Sequence, residues 1–190
     1  MRIIFAAAFI VATLLSVSGI PQNSQQPQSP DFVKSTELNS AAVKLSNEAK
    51  YAEALPLETQ ALELREKAVG PNDAELIPIL ANLGVIYRSM ARNEDSVSSF
   101  ERALKLAEKA YGPNDIRLAA ILDPLAFLKY SSKEATSAEN LFMRSLKIKD
   151  AGLSPQDPQI ADTAYNLGQV YAARKNYKGA ASMLSRAITV

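Results

Sequence analysis

One ten-residue stretch decides the fold of this chain: Leu64-Arg-Glu-Lys-Ala-Val-Gly-Pro-Asn-Asp73. It recurs one 42-residue step later as Leu106-Ala-Glu-Lys-Ala-Tyr-Gly-Pro-Asn-Asp115. A weaker copy follows after the same step, as Ile148-Lys-Asp-Ala-Gly-Leu-Ser-Pro-Gln-Asp157. Self-similarity at a fixed period of this size is typical of repeat proteins. We therefore predict a tandem array of one structural unit.

The Gly-Pro-Asn-Asp part of the stretch is predicted to separate two helices. Gly70 and Gly112 can adopt the positive φ that ends a helix, and the proline after each prevents the helix from continuing. Asp73, Asp115 and Asp157 stand where an N-cap accepts hydrogen bonds from the backbone of the next helix. We interpret the tetrapeptide as a helix boundary, in preference to a ligand-binding loop.

The 42-residue step also aligns two kinds of helix. Asn82-Leu-Gly-Val-Ile-Tyr87 recurs as Asn166-Leu-Gly-Gln-Val-Tyr171, with the diverged copy Pro124-Leu-Ala-Phe-Leu-Lys129 between them. The second kind carries small residues seven positions apart, as in Ser96-Val-Ser-Ser-Phe-Glu-Arg-Ala103. Seven residues are two helical turns, so these residues form one flat face for a neighbouring helix. Each repeat is thus predicted to hold a first helix, a short turn, a second helix and a longer loop.

These residues resemble the tetratricopeptide repeat, in the 42-residue form found in kinesin light chains and many bacterial proteins. The resemblance implies an all-α fold, an α-solenoid of about four tandem helix-turn-helix repeats that form a right-handed superhelix. In the second repeat the matching residues are Leu83, Gly84, Tyr87, Ser96, Phe100 and Ala103. The implied repeats cover about residues 35–76, 77–118, 119–160 and 161–190.

Two features depart from the family pattern. Pro124 falls inside the first helix of the third repeat, where we expect it to kink the helix or delay its start. The second helix of the fourth repeat reaches Val190 with no polar capping helix after it, although solenoid ends usually carry one. This edge is expected to be exposed, or covered by a partner or a second copy.

Composition argues against catalysis and against nucleic acid as a partner. The chain contains neither Cys nor His, which removes thiolate nucleophiles, disulfides and the commonest general base and metal ligands. We expect no catalytic residue, no cofactor and no metal site. The net charge is +1, and it includes Arg2 in a segment that we expect to be removed, so no basic excess would attract nucleic acid or an anionic membrane.

Residues 1–19 have the pattern of a signal peptide, with Arg2, an apolar run and small residues at its end. Cleavage is expected after Gly19 or after Ser18. The alternative is an uncleaved anchor, because the apolar run just reaches the length that spans a bilayer. Residues 20–34, rich in Pro, Gln and Ser, are predicted to be a disordered linker before a repeat domain at 35–190. We expect a secreted or periplasmic protein, or a membrane-anchored one if the segment is retained.

The resemblance implies that the first helices line a concave surface where a partner binds. Asn82 and Asn166 occupy equivalent places, where an amide can hold an extended peptide or, alternatively, bond to the backbone of the neighbouring repeat. The implied peptide-binding residues are Asn82, Val85, Arg88, Asp123, Phe127, Tyr130, Asp162, Tyr165, Asn166 and Gln169. Asn39, Val43 and Ala81 are implied to lie on the same surface.

Aromatic and acidic residues of this surface allow more than one interpretation. Phe127, Tyr130 and Tyr165 can anchor a partner or pack between repeats. Asp123 and Asp162 can face each other as an acid–base pair for glycoside cleavage, but we favour a solvated pair that prefers basic peptides. The predicted function is an exported, non-catalytic scaffold that binds a protein or peptide. The alternative is a structural subunit that self-associates or stacks through the last repeat.

Overall fold

The computed structural model describes residues 29–190, which form eight α-helices and two short 3₁₀ helices without a strand. The predicted signal peptide and residues 20–28 of the predicted linker lie outside the described residues. The all-α prediction is confirmed. The helices are α1 (Pro30–Asn47), α2 (Tyr51–Val69), η1 (Ala74–Leu76), α3 (Ile77–Ser89), α4 (Asn93–Tyr111), η2 (Ile116–Leu118), α5 (Ala119–Ser131), α6 (Ala135–Gly152), α7 (Pro158–Ala173) and α8 (Tyr177–Thr189).

The helix bounds repeat with the 42-residue step of the sequence. Helix α5 begins and ends one such step after α3, and α4 begins and ends one such step after α2. Helices α1, α3, α5 and α7 are the first helices of their pairs, and α2, α4, α6 and α8 are the second helices. The predicted arrangement of helix pairs is therefore confirmed. Within residues 29–190, no helix is both long and apolar enough to cross a membrane.

The interpretation of Gly-Pro-Asn-Asp as a helix boundary is confirmed. Gly70 and Gly112 follow the last residues of α2 and α4 and have a φ of 90°, which disfavours any residue with a Cβ. Asp73, Asp115 and Asp157 each accept a hydrogen bond, at 2.9 Å, from the backbone N–H two residues further on. These caps satisfy donors at the start of the next helix.

The turns inside the helix pairs use a second device that we did not predict. Ala49, Ala91, Lys133 and Lys175 are separated by the same repeat step, and all have a φ between 58° and 65°. The residue that follows each of them donates its backbone N–H to the carbonyl of the residue five positions earlier, as Arg92 does to Tyr87, at 2.9 Å in all four cases. This pattern closes a helix end, and glycine usually occupies the positive-φ position. Here non-glycine residues occupy it in all four pairs.

The first helix begins earlier than predicted. Helix α1 starts at Pro30, so residues 30–34, which were predicted to be part of the disordered linker, are helical. Ser29 caps the helix by accepting from the Phe32 backbone N–H at 3.2 Å, and proline suits the first helical position. The Phe32 ring also lies 3.7 Å from the guanidinium carbon of Arg65 in α2, so this first turn is packed rather than free.

Two further boundaries differ from prediction. Helix α5 runs through the buried Pro124 and starts at the place equivalent to the start of α3, so the expected delay is wrong. Losing one backbone hydrogen bond does not break a helix whose proline ring packs in the core. Helix α7 starts at Pro158, before the predicted repeat start at residue 161, because Asp157 caps it without an intervening 3₁₀ turn.

The chain divides into two compact units, the first ending at Ser99 and the second beginning at Phe100. Each unit has its own apolar clusters between helices. In the first unit the buried members include Ala42, Ala54, Ala61, Ile79, Leu83 and Ile86. In the second unit they include Phe142, Leu146, Ile160, Ala164, Leu167 and Val170.

Candidate interaction surface on the first helices

The predicted peptide-binding residues all lie on first helices, but only some of their side chains are engaged in contacts with other helices. In the first unit, α3 carries Asn82, Val85 and Arg88. In the second unit, α5 carries Asp123, Phe127 and Tyr130, and α7 carries Asp162, Tyr165, Asn166 and Gln169. Ala81, which the resemblance also implied, is only 6% exposed and belongs to the core.

The side chain of Asn82 is engaged inside the first unit. Its Nδ2 donates to Oδ1 of Asn39 on α1 at 2.9 Å, and its amide also hydrogen-bonds the carboxyl group of Glu58 on α2. Both partners belong to the preceding helix pair. Asn82 therefore contacts the preceding helix pair, but through side chains rather than through the backbone bond that one of the two interpretations proposed.

A shallow depression lies beside Asn82 on the first unit. It is lined by Val43 and Ser46 of α1 and by Asn82 and Val85 of α3. The Oγ of Ser46 is buried without a hydrogen-bond partner. Arg88, on the same helix, has no hydrogen bond or ion pair to another described residue, and burial lowers the pKa of its guanidinium.

Glu58 is the residue that sequence reasoning missed in the first unit. Its side chain has no exposed surface, and burial raises its pKa to about 8. The equivalent positions in the later repeats hold Phe100, Phe142 and Leu184. Aligning the repeats on their 42-residue step would have revealed this acid, because an ionisable residue stands where the other three repeats have a large apolar residue.

Asp123 is engaged inside the second unit, which corrects the proposed pairing with Asp162. Its Oδ2 accepts from Lys149 Nζ at 2.6 Å and from Thr163 Oγ1 at 2.8 Å. Asp162 is exposed and makes no such contact within the described chain. An acid–base couple needs both carboxyl groups available to substrate. This arrangement does not support a glycosidase.

Lys149 is one of two buried cations at equivalent positions. It is 4% exposed, and Arg65 in the first unit is 6% exposed. Arg65 donates to Ser35 Oγ at 2.7 Å and to Glu75 at 2.9 Å. Each cation thus joins the first helix of its own pair to the segment that opens the next pair. Both belong to the repeated ten-residue stretch, and Ala107 takes this place in the copy between them.

The aromatic residues of the second unit divide between packing and exposure. Phe127 and Tyr130 are partly buried and pack against the apolar cluster around Phe142. Tyr165 is 37% exposed. Packing between helices therefore accounts for Phe127 and Tyr130, and Tyr165 is the one of these three predicted residues that is left on the surface.

Four predicted residues form one stripe on α7. Asp162, Tyr165, Asn166 and Gln169 are spaced so that they lie on one helix face. None of these side chains hydrogen-bonds or ion-pairs with another residue in the described part of the chain. The stripe therefore holds uncommitted donors and acceptors beside an exposed aromatic ring. Across residues 29–190, no cluster of acidic side chains is suited to hold a metal ion.

The sequence pattern of the tetratricopeptide repeat family matches residues 35–109, 76–151 and 117–190. These overlapping matches cover most of the chain, and the chain belongs to this family. Repeats of this family are typically protein–protein interaction scaffolds and are generally not catalytic. No curated protein sequence matches the chain.

Solved structures confirm the fold. BtubC (BKLC) from P. vanneervenii has a TM-score of 0.79 at 21% identity, covering 87% of this chain and 66% of that one, just under two thirds of its length. A kinesin-light-chain-type protein from Podosopora anserina, with nearly identical TPR-like repeats, has a TM-score of 0.74 at 15% identity and covers 86% of this chain and 76% of that one. At these identities the likeness shows the fold alone.

Proposed function

We propose that this chain is an exported, non-catalytic scaffold that binds a protein or peptide partner on its first helices. The observation that carries the proposal is the stripe on α7, where Asp162, Tyr165, Asn166 and Gln169 have no hydrogen-bonding partner among the described residues. Polar groups left without internal partners beside an exposed aromatic ring are typical of interaction surfaces.

The chemistry of the stripe favours an extended peptide. The amides of Asn166 and Gln169 each offer donors and an acceptor, which suit the alternating N–H and C=O groups of a peptide backbone. Tyr165 supplies apolar contact area, and Asp162 favours a basic side chain in the partner. With a net charge of +1, the chain has little to attract nucleic acid.

Removal of the Asn166 side-chain amide provides the test. A peptide selected from a random library on the immobilised chain is measured by calorimetry against wild type, Asn166→Ala and Asn140→Ala. Asn140 is exposed on the second helix α6 and is a matched control in the same unit. Losing a well-formed hydrogen bond should weaken binding about tenfold in Asn166→Ala and leave Asn140→Ala unchanged. Equal affinity of all three proteins would rule out the stripe as the binding site.

Export is part of the proposal and has its own experiment. The intact mass of a C-terminally tagged chain, expressed in a secreting host, should correspond to a mature protein beginning at Ile20 or Gly19. An unprocessed chain in the membrane fraction would instead support the anchor alternative. Unprocessed chain in the cytoplasm would contradict both.

A structural role through the last helix is a second candidate, favoured by one contrast in burial. Ile188 on α8 is 86% exposed, whereas the equivalent Leu146 on α6 is 6% exposed. Self-association should appear as a mass that rises with concentration in light scattering and should be abolished by Ile188→Lys. A monomer at all concentrations would eliminate this role.

A further inference from the structure

The carboxyl group of Glu58 is enclosed by two amide side chains in the first unit. Its Oε1 and Oε2 lie 2.8 and 3.2 Å from one polar atom of the Asn39 amide, and that same atom lies 2.9 Å from Nδ2 of Asn82. Ala54 and Ala61, one turn to either side of Glu58 on α2, are fully buried. Glu58 itself has no exposed surface, so its carboxyl group is out of contact with bulk water.

The contacts are consistent with two arrangements, which differ by one proton. If the shared Asn39 atom is Oδ1, it accepts from Asn82 Nδ2 and also needs a donor from Glu58, which only a protonated carboxyl group supplies. If Glu58 is ionised, Oδ1 would face a carboxylate at 2.8 Å, so the Asn39 amide must turn and donate Nδ2 instead. Asn82 Nδ2 then loses Oδ1 of Asn39 as its acceptor and keeps the carboxylate of Glu58 as the other.

We propose that Glu58 holds a proton in the folded chain at neutral pH, and that losing this proton turns over the side-chain amide of Asn39. The result is an exchange of donor and acceptor on the first-helix surface of the first unit. The inference concerns this unit alone and does not depend on a partner that binds α7.

No charged neighbour compensates an ionised Glu58. The groups that face it are Asn39 from α1 and Asn82 from α3, both uncharged. Arg65, further along α2, pairs with Glu75 of η1. Burial raises the pKa of Glu58 to about 8, and the hydrogen bond from Asn82 only partly opposes this rise.

The change reaches the surface through Asn39, which is partly exposed. In the protonated arrangement Asn39 turns its Nδ2 away from Glu58, and in the ionised arrangement it turns its Oδ1 away. Asn82 lines the depression with Val43, Ser46 and Val85, and it keeps its orientation while it loses Asn39 as an acceptor.

The same proton links stability to pH, with a definite sign. The pKa of the unfolded glutamate is near 4.5 and that of folded Glu58 is about 8. Between these values the folded chain binds the proton more strongly than the unfolded chain, so stability falls as pH rises through this window. Below pH 4.5 the contribution is fully present, and above pH 8 it is lost.

The first experiment compares urea unfolding of the full chain with that of Glu58→Gln between pH 5 and 9. Gln cannot ionise, and its amide can still donate to Asn39. Relative to this variant, the unfolding equilibrium constant of wild type should increase by up to about tenfold per pH unit and level off above about pH 8. Glu63→Gln, at an exposed position of the same helix, should follow wild type. Parallel profiles for wild type and Glu58→Gln would overturn the proposal.

The second experiment follows the amides directly and needs no folded variant. The wild-type chain is titrated with pH and followed by nuclear magnetic resonance. The side-chain N–H signals of Asn39 and Asn82 should shift with the same midpoint pH as the signal of the Glu58 carboxyl carbon. A carboxyl midpoint below pH 7 would refute the retained proton. A midpoint near 8 without movement of the amide signals would refute the exchange. Both tests are done without peptide, so failure of the proposed binding function leaves them unaffected.

Discussion

The two units place different residues at the same three repeat positions. One position lies on a first helix, the next on the following second helix, and the third on the first helix of the next pair. The residues are Asn39, Glu58 and Asn82 in the first unit, and Asp123, Phe142 and Asn166 in the second. In the first unit all three contact one another, and in the second unit Asp123 instead accepts from Lys149.

This difference shows how a single central residue determines what its neighbours can do. Glu58 is a buried polar group, so it needs hydrogen bonds and occupies both amides around it. Phe142 needs none and packs in the apolar cluster of the second unit. Asn166 consequently has no internal partner and remains available on the surface. The same repeat therefore produces an engaged amide in one unit and a free amide in the other.

The largest change in stability is expected for Phe142→Glu, which places a glutamate in the second unit at the position where the first unit has Glu58. Asp123 and Asn166 cannot replace the pair of amides, and the aromatic packing is lost as well. We expect a loss of about 4 kcal/mol or more in the free energy of unfolding by urea denaturation. Asn140→Glu, at an exposed position of the same helix, should change it by less than about 0.5 kcal/mol. A loss as small as that of the control would show that the position tolerates an acid in either unit.

The next largest effect is expected for Lys149→Met. It removes the cation that Asp123 faces in the second unit and leaves a largely enclosed carboxylate without its partner. Breaking such a pair should cost about 3 kcal/mol in the free energy of unfolding. The additional change Asp123→Leu should recover part of the loss. Lys147→Met, exposed on the same helix, is the control, and equal stability of the two lysine variants would contradict the prediction.

A smaller effect separates the two asparagines. Asn82→Ala removes a hydrogen-bonding partner from buried Glu58 and should lower the free energy of unfolding by about 1–2 kcal/mol. Asn166→Ala removes no internal bond and should change it by less than about 0.5 kcal/mol. Thermal unfolding by circular dichroism measures both. A larger loss in Asn166→Ala would mean that its amide has an internal role.

The smallest effect concerns the turns that all helix pairs share. Ala91 has a φ of 58°, and glycine should relieve its strain and stabilise the chain by about 0.5–1 kcal/mol. The control Ser98→Gly, exposed within α4, should instead destabilise by about 0.5 kcal/mol through lost helix propensity. The measurement is again urea unfolding. Destabilisation of similar size in both variants would show that the Ala91 turn carries no strain.

Periodicity and turn chemistry predicted most of the fold. The repeated Gly-Pro-Asn-Asp places Gly70 and Gly112 after helices and Asp73 and Asp115 before the next ones, because these roles depend on local backbone geometry alone. The early start of α1 at Pro30 was missed because its polar, proline-rich surroundings hid a capped helix end. Local composition is a weak guide where one turn is stabilised by packing on a distant residue, as Phe32 is by Arg65.

The sequence alone determined the all-α class, the 42-residue helix-pair repeat and the helices that carry the predicted binding residues. These properties follow from short-range spacing, which is visible without coordinates. Only the tertiary structure decided which of those residues are free. Asn82 and Asn166 are both followed in sequence by Leu and Gly, yet one is engaged by Glu58 and the other is not. The difference arises because a hydrogen bond requires a partner within about 3 Å, and that partner belongs to another helix.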